Sequence, residues 1–280
     1  MTPLARRTKG ETRLAKSLGQ HFLIDGRIVG RIVSAADLTV FDHVVEVGPG
    51  RGRLTSALSE RVERLVAVEI DRNLAKKLES RFHDRPNVRI VAADARDIDV
   101  SLIIQDGVPY KVVANLPYYA AMPIVRRFLT TDIKPLLMVV MVQKEVALQM
   151  VAQPGSMGLI SVATQLYGRC SLVTEVSSRA FRPQPKVKSA VVRIDLFDAP
   201  SVSFDSEEKF FRVVKAGFSA PRKQLRNSLR NGLDVEANVV DTGLLEAGID
   251  PVRRAQTLTM EEWGRLYEIF CGVGAHAHTV

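Results

Sequence analysis

The chain has 280 residues, of which 46% are hydrophobic and 25% are charged, a composition typical of globular proteins rather than of disordered or fibrous ones. Its 39 lysines and arginines outnumber its 31 aspartates and glutamates, for a formal net charge of +8, which favours a polyanionic partner. The two cysteines and five histidines show no ligand spacing, which excludes a disulfide framework and a thiolate zinc site, so no metal is expected.

The hydropathy pattern predicts no membrane segment. The longest purely apolar run, Pro135–Val142, has 8 residues, whereas a transmembrane helix requires roughly 20. The first residues carry charges with no apolar stretch before them, unlike a secretory signal. We therefore expect a cytoplasmic protein.

Short runs rich in valine, isoleucine and leucine alternate with helical patterns along the chain. The predicted strands are Val44–Val47, Leu65–Ile70, Val88–Ala92, Tyr110–Ala114 and Leu136–Val142, followed by Leu172–Ser177 and Ser189–Leu196. The predicted helices are Leu54–Arg61, Arg72–Arg81, Ala121–Leu129 and Gln143–Val151. This order predicts an α/β fold with a doubly wound, mostly parallel seven-stranded sheet, which the last two strands finish in antiparallel fashion.

A domain boundary is predicted in the polar segment 198–205, which contains Pro200. Residues 1–198 then form one domain with a basic N-terminal arm, and residues 199–280 form a small helical domain. Asp205 and Glu208 have the spacing of a capping box at a helix start. Helical patterns continue from there to Phe270.

A glycine-rich turn follows the first predicted strand. Gly48, Gly50 and Gly52 are spaced as G-x-G-x-G, and a strand that ends in glycines and opens a helix lets backbone N–H groups approach a ligand. The dinucleotide fingerprint needs glycine where Arg53 stands. The turn therefore indicates a cofactor without a pyrophosphate, and a purely structural tight turn is the alternative.

Acidic residues follow the next two strands at the same predicted edge of the sheet. Glu69 lies about twenty residues beyond the glycine turn, where an acidic side chain can accept both hydroxyls of a ribose. Asp94 follows Val88–Ala92 and can accept a hydrogen bond from an adenine amine. The alternative role for Glu69 is a helix cap, although Asp71 suits that role better. The alternative for Asp94 is a turn residue.

The segment Asn115-Leu116-Pro117-Tyr118 ends the fourth strand. It combines an amide oxygen, a backbone carbonyl followed by proline, and an aromatic ring. Two acceptors can hold the N–H groups of an exocyclic amine while the base stacks on the Tyr118 ring. The motif therefore predicts chemistry at the amino group of a flat base, with a simple strand-end turn as the alternative.

Positive charge is concentrated in three stretches, residues 6–16, 179–193 and 209–230, and the last two contain no carboxylate. Arg222, Arg226 and Arg230 are four residues apart. On a helix they would line one side and, together with Lys223, contact a phosphate backbone. The alternative is a solvated helix face.

Four ordered motifs resemble a known family. The glycine turn followed by Asn115–Tyr118 is similar to S-adenosylmethionine-dependent adenine N6-methyltransferases. Leu18–Asp25, Phe181–Ala190 and Phe218–Asn227 narrow the resemblance to the ribosomal RNA adenine dimethyltransferase family, and within it to the housekeeping branch. The resemblance implies a Rossmann-like class I methyltransferase fold, S-adenosylmethionine as cofactor, and dimethylation of two adjacent adenosines in small-subunit ribosomal RNA during ribosome assembly.

The resemblance also implies roles for individual residues. Cofactor contacts would fall on His21, Leu23, Gly48, Gly50, Glu69, Asp94 and Asn115. The target base would be held by Asn115, Leu116, Pro117 and Tyr118, with Phe181 as the second aromatic wall. Two positions depart from the commonest pattern, because His21 stands where asparagine is usual and Tyr119 replaces another asparagine.

Three other functions stay open at this point. A resistance-type relative would use the same pocket to methylate large-subunit RNA. An RNA-binding assembly or transcription factor would keep the fold without turnover. A nicotinamide oxidoreductase is disfavoured by Arg53 and by the Asn115–Tyr118 motif, which has no role in hydride transfer.

Overall fold

The computed structural model describes residues 21–105 and 107–272. The chain divides into two compact units. The first contains the chain up to Ala147 together with Ser171–Leu196, and the second contains Leu148–Cys170 together with the chain from Phe197 onward.

A seven-stranded sheet is the framework of the first unit. Its strands are β2 His43–Val47, β3 Arg64–Glu69, β4 Val88–Ala92, β5 Tyr110–Asn115, β6 Leu137–Gln143, β7 Gly168–Val176 and β9 Ser189–Leu196. The spatial order is β4-β3-β2-β5-β6-β9-β7, with β2 to β6 parallel and β9 antiparallel to β6. The predicted α/β fold with a mostly parallel sheet is confirmed.

A separate pair of short strands, β1 Phe22–Leu23 and β8 Phe181–Arg182, joins two distant parts of the first unit. The strands are antiparallel, with Leu23 opposite Phe181. The Ile24 N–H extends the pairing by donating to the Ala180 carbonyl at 2.8 Å.

Helices of the first unit follow the strands as expected for βαβ connections. They are α1 Gly26–Ala35, α2 Arg53–Ser59, α3 Arg72–Arg81 and α4 Ala121–Leu129, and α5 Lys144–Met150 contains the boundary between residues 147 and 148. Ile32 of α1 and Leu58 of α2 are fully buried in one cluster with Val113 and Val139 of the sheet, because continuous apolar strands of a parallel sheet need cover on their faces. Asp71 caps α3 by accepting from two backbone N–H groups, as the sequence predicted.

The second unit is helical. Its helices are α6 Leu159–Gln165, α7 Glu207–Gly217, α8 Leu225–Leu233, α9 Ala237–Glu246 and α10 Met260–Phe270. Phe210, Trp263 and Phe270 have no exposed surface and form the centre of its core. The predicted cap of α7 was one residue early, since Ser206 rather than Asp205 accepts from the Lys209 N–H.

The division into units differs from the predicted domains 1–198 and 199–280 in one respect. Residues 148–170 belong with the later part of the chain. Backbone hydrogen bonds explain this grouping, since Gly155 donates to Gln256 and Ser201 donates to Leu166, both at 2.8 Å. Over residues 21–105 and 107–272, no helix is long and apolar enough to cross a membrane.

Candidate active site

A cleft of about 1080 Å³ opens where the parallel strands of the first unit end. In open α/β sheets, ligands bind at the carboxyl ends of the strands. The eleven residues predicted to contact the cofactor or the target base all line this cleft: His21, Leu23, Gly48, Gly50, Glu69, Asp94, Asn115, Leu116, Pro117, Tyr118 and Phe181. The sheet therefore gathers residues from six separate segments of the sequence into one cavity, while their individual roles stay predictions.

The glycine turn after β2 approaches its neighbours too closely for side chains. Gly48, Gly50 and Gly52 have φ values of +71°, +57° and +74°, which favour glycine. A Cβ atom on Gly48 would lie 3.2 Å from the backbone oxygen of Asn115, and one on Gly50 would lie 3.0 Å from the ring of Phe22. A side chain at either position would crowd these neighbours, so the turn requires glycine there.

Glu69, the last residue of β3, is 4% exposed and its carboxylate is held by the backbone. Gly50 N–H donates to Oε2 and Asp71 N–H donates to Oε1, each at 3.0 Å. Burial raises the pKa of Glu69, and these N–H groups act in the opposite direction. Each carboxylate oxygen still has acceptor capacity for one more donor.

A second buried carboxyl group, Glu46 of β2, lines the same cleft. Glu46 is 1% exposed, and neither of its oxygens makes a hydrogen bond of good geometry with a described residue, although the Thr55 hydroxyl and N–H lie close enough to oppose the rise of its pKa. Burial raises its pKa to about 8, and the charge of Glu69 adds to this shift. Glu46 was not predicted from the sequence. A lone acidic residue inside an apolar strand could have indicated it, because a buried charge is costly and is kept only where it has a role.

Asp94 lies beyond β4 in an ion pair with Arg96. The guanidinium Nη2 is 2.5 Å from Oδ2, and the Arg96 backbone N–H donates to Oδ1 at 2.9 Å. This pairing holds the pKa of Asp94 below its usual range. The carboxylate is therefore an ionised acceptor, but an adenine amine would have to share it with Arg96, a neighbour that the sequence analysis did not identify.

The Asn115–Tyr118 segment leaves β5 and turns into α4 at the edge of the cleft. The Leu116 N–H donates to the Met141 carbonyl at 3.1 Å and the Ala120 N–H donates to the Pro117 carbonyl at 3.0 Å. No backbone N–H of the described residues donates to the Leu116 carbonyl. The predicted carbonyl acceptor therefore has no competing backbone donor.

Aromatic side chains stand at this end of the cleft. The Tyr118 hydroxyl lies 2.6 Å from Ser189 Oγ, and the ring of His21 lies 5.8 Å from the Tyr118 ring, centroid to centroid. Phe181 lines the cleft but is only 2% exposed and packs in the apolar core. No local motif in the sequence indicates Ser189, which is 71 residues away from its partner.

The predicted RNA-binding residues lie in the second unit. Arg222 and Lys223 occupy a turn before α8, and Arg230 lies in the last turn of that helix. All three are exposed, whereas Arg226 is paired with Asp241 at 2.9 Å. The prediction that Arg222 shares a helix with the other two arginines was wrong, because Pro221 and the Ala220–Lys223 turn delay the helix start to Leu225.

The chain matches one known protein family over most of its length. The family model described as ribosomal RNA adenine dimethylase matches residues 11–271 of the 280. The chain belongs to this family. The predicted resemblance is thereby confirmed, and the chain is a methyltransferase whose family acts on adenine in ribosomal RNA.

Other members of the ribosomal RNA adenine dimethylase family and solved structures agree with this assignment. The chain is 46% identical to ribosomal RNA small subunit methyltransferase A of Dehalococcoides mccartyi (strain ATCC BAA-2266 / KCTC 15142 / 195), over 92% of this chain and 89% of that protein. The crystal structure of the 23S rRNA methyltransferase ErmE is 27% identical, with a TM-score of 0.70 over 89% of this chain and 98% of that one. A dimethyladenosine transferase from Plasmodium falciparum, 21% identical, has the same fold, with a TM-score of 0.74 over 90% and 99% of the two chains.

Metal ligands are not assembled in this cleft. In residues 21–105 and 107–272, no group of three or more histidine, cysteine, aspartate or glutamate side chains is placed to hold a metal ion. The polar groups at the cleft are carboxylates, an amide, an imidazole, guanidinium groups, tyrosine hydroxyls and backbone atoms, a mixture of donors and acceptors that suits a nucleoside-like ligand.

Proposed function

We propose that this chain transfers methyl groups from S-adenosylmethionine to the exocyclic N6 of adenosines in small-subunit ribosomal RNA, twice per adenosine and at two adjacent adenosines. The observation that carries the proposal is the juxtaposition of Asn115–Tyr118 with the glycine turn and Glu69 around one cleft. This arrangement offers a place for a nucleoside cofactor beside acceptors for an amine.

The residues of the cofactor half fit S-adenosylmethionine. Glu69 retains acceptor capacity for the two ribose hydroxyls, and the backbone of Gly48 and Gly50 lines the cleft beside it. Asp94 is an ionised acceptor for the adenine amine. S-adenosylmethionine supplies a methyl group already activated by a positively charged sulfur, so the protein has to orient the reactants and exclude water rather than create a strong nucleophile.

The target half of the cleft would orient the amine of the substrate adenine. The Asn115 side-chain oxygen and the Leu116 carbonyl accept hydrogen bonds from the two N–H groups of the amine. These two bonds turn the lone pair of the nitrogen away from the ring and toward the methyl group. Tyr118 and Phe181 contact the two faces of the base. Each transfer would form an N–CH3 bond as the S–CH3 bond breaks, with S-adenosylhomocysteine as the leaving group and the proton of the methylated amine released to water. The monomethylated amine still carries one N–H and can turn in the pocket, which allows a second transfer from a fresh cofactor.

The adenine must leave its stack to reach these residues. It either flips out of a helix or comes from an unpaired loop, where sequence-specific RNA recognition usually takes place. We assign contacts with RNA phosphates to Arg222, Lys223 and Arg230 of the helical second unit. We expect the methylation to take place in the cytoplasm on ribosomal subunits.

Small-subunit RNA is favoured over large-subunit RNA by the relatives. The small-subunit methyltransferase A of Dehalococcoides mccartyi is 46% identical over 92% of the chain, whereas the 23S rRNA methyltransferase ErmE is 27% identical. Because both belong to a common fold, the catalytic cleft alone does not separate the two substrates.

Labelled S-adenosylmethionine tests the proposal directly. Unmethylated small subunits, unmethylated large subunits and naked ribosomal RNA are offered in parallel, and the labelled nucleotide is mapped. We expect two labels per adenine in small-subunit RNA. Label confined to large-subunit RNA, or at a position other than N6, would contradict the proposal.

The Asn115→Ala variant separates chemistry from binding in the same assay. Its RNA affinity should stay near that of the wild type while the methylation rate falls, because the amide acceptor matters most when the amine attacks. Wild-type turnover in this variant would remove Asn115 from the mechanism.

A further inference from the structure

The hydroxyl of Tyr118 is bonded to a residue outside the cleft. Ser189 Oγ lies 2.6 Å from it, and Ser189 has no exposed surface and does not line the cleft. Ser189 is the first residue of β9 and pairs with Gln143 of β6, so the sheet fixes its backbone. A buried hydrogen bond to a fixed partner restricts the rotation of the tyrosine ring.

The ring of Tyr118 has a second neighbour in His21. The two rings are 5.8 Å apart and their planes are inclined by 31°. His21 Nδ1 is 2.8 Å from the Pro183 carbonyl oxygen, so the imidazole is itself anchored. The anchor lies next to the β1–β8 pair that carries Phe181, and one two-stranded element therefore brings both His21 and Phe181 to the target half of the cleft.

We propose that Ser189 and His21 are positioning residues that hold the Tyr118 ring in the orientation in which it stacks on the target adenine. The inference rests on the proposed function, because it takes Tyr118 as the stacking surface. Ser189 fixes the far end of the ring through its hydroxyl, and His21 packs against the ring from the β1 side. Neither residue exchanges a proton or forms a bond with the substrate.

The physical reason for such supports lies in the geometry of the transfer. The amine must approach the methyl group in line, and an error of about 1 Å in the placement of a reacting group can cost roughly a hundredfold in rate. A base that stacks on a mobile ring is placed less accurately than one on a ring held at two points. The supports should therefore affect turnover more than cofactor binding.

A double-mutant cycle tests the role of Ser189. Ser189→Ala and Tyr118→Phe each remove the same hydrogen bond, and the second keeps the aromatic ring. Under saturating S-adenosylmethionine and unmethylated small subunits, we expect each variant to lower kcat by roughly three- to tenfold, the equivalent of one hydrogen bond. The double variant should be no slower than the slower single variant, and cofactor affinity should be unchanged.

The control for this cycle is Ser59→Ala. Ser59 is also buried and its hydroxyl donates to the Ser56 carbonyl at 3.0 Å, but it does not line the cleft. The Ser59→Ala variant should lose about as much thermal stability as Ser189→Ala, but its kcat should equal that of the wild type. Multiplicative losses in the double variant, or wild-type kcat in Ser189→Ala, would overturn the role of Ser189. If Ser189→Ala does not fold, Tyr118→Phe alone decides, since wild-type kcat there excludes the hydroxyl anchor.

His21 is tested by exchanging its ring. His21→Ala should lower kcat, and His21→Phe, which keeps an aromatic ring beside Tyr118, should recover part of the loss. A loss of S-adenosylmethionine affinity in His21→Ala with kcat unchanged at saturation would overturn this role in favour of a cofactor contact. Because the wild type is measured in the same assay, an inactive wild type would count against the proposed function and not against these supports alone.

Discussion

Glu69 shows how a single side chain is held beside the glycine turn. Its two oxygens each accept one backbone N–H, from Gly50 and from Asp71, at 3.0 Å. These bonds hold the carboxylate against the cleft although burial raises its pKa. If Glu69 accepts from the cofactor as proposed, this ordering would lower the entropic cost of binding.

Replacing Glu69 should weaken cofactor binding. Glu69→Ala removes both acceptors for the ribose hydroxyls, and we expect a loss of roughly 2 to 3 kcal/mol in S-adenosylmethionine affinity, the range for charge-assisted hydrogen bonds. Isothermal titration calorimetry measures this loss. Glu60→Ala, which removes an exposed carboxylate, is the control and should bind like the wild type. Unchanged affinity in a folded Glu69→Ala protein would refute the ribose contact.

Glu46 makes the stability of the fold depend on pH. Its pKa is about 8 in the folded chain against an ordinary value of 4.5. Between these values the folded state keeps a proton that the unfolded chain releases, so the contribution of Glu46 to stability falls as the pH rises through this window. The loss is at most about 1.4 kcal/mol per pH unit.

The neutral variant Glu46→Gln should remove this dependence. Urea denaturation at pH 5, 6.5 and 8 should show that the variant loses less unfolding free energy than the wild type as the pH rises, so that the difference is largest at pH 8. Parallel stability curves for the two proteins would mean that Glu46 ionises with an ordinary pKa in the folded state.

At the scale of single residues, the eleven side chains and glycines predicted from the sequence line one cleft, whereas Glu46 and Arg96, which also line it, and the buried Ser189 were not predicted. Glu69 and Asn115–Tyr118 stand at strand ends, where local patterns mark them. Ser189 and Arg96 act through a partner, and a contact such as that between residues 118 and 189 leaves no signal in local spacing.

Among the elements, strands and helices with a clear local pattern were the most predictable. β4 and β9 and the helices α3 and α4 have the predicted bounds. The apolar run of β9 coincides with burial, whereas β4 lies at the edge of the sheet with no buried residue and follows from its valine and isoleucine content alone. Two helices were not predicted. α1 contains two glycines and several β-branched residues, and α6 is short and also rich in such residues, so their intrinsic helix propensity is low.

Tertiary packing explains why α1 forms nevertheless. Val29, Ile32 and Val33 are buried on one face, and burial of apolar side chains outweighs unfavourable propensity. The same principle accounts for the late start of α8, where Leu225 is buried and its N–H donates to the Arg253 carbonyl. Periodicity of the arginines alone could not locate this start.

Across the whole molecule, net charge predicted the class of partner but not which cations are available to it. The formal charge is +8, and residues 209–230 contain no acid. Even so, Arg226 is engaged with Asp241 from α9, a pairing that is invisible within that acid-free stretch. Charge arguments from sequence therefore have to be corrected residue by residue once the fold is known.

This correction yields a test of RNA binding with an internal control. If Arg222, Lys223 and Arg230 contact RNA phosphates, each contact releases condensed counterions, and replacing all three with glutamine should weaken binding and make the slope of log affinity against log salt shallower by roughly 2 to 3. Arg226→Gln removes the same charge from a group already paired with Asp241, so its slope should stay close to that of the wild type.

Fluorescence anisotropy with ribosomal RNA across several salt concentrations measures these slopes. Cofactor affinity, measured in parallel, should be unchanged in both variants, because the substituted residues do not line the cleft. If these cations only form a solvated surface, the triple variant and the wild type will give parallel lines. Arg226→Gln could instead make the slope shallower by about one third of the change seen in the triple variant. In that case the ion pair between Arg226 and Asp241 opens when RNA binds, and Arg226 belongs with the contacting cations.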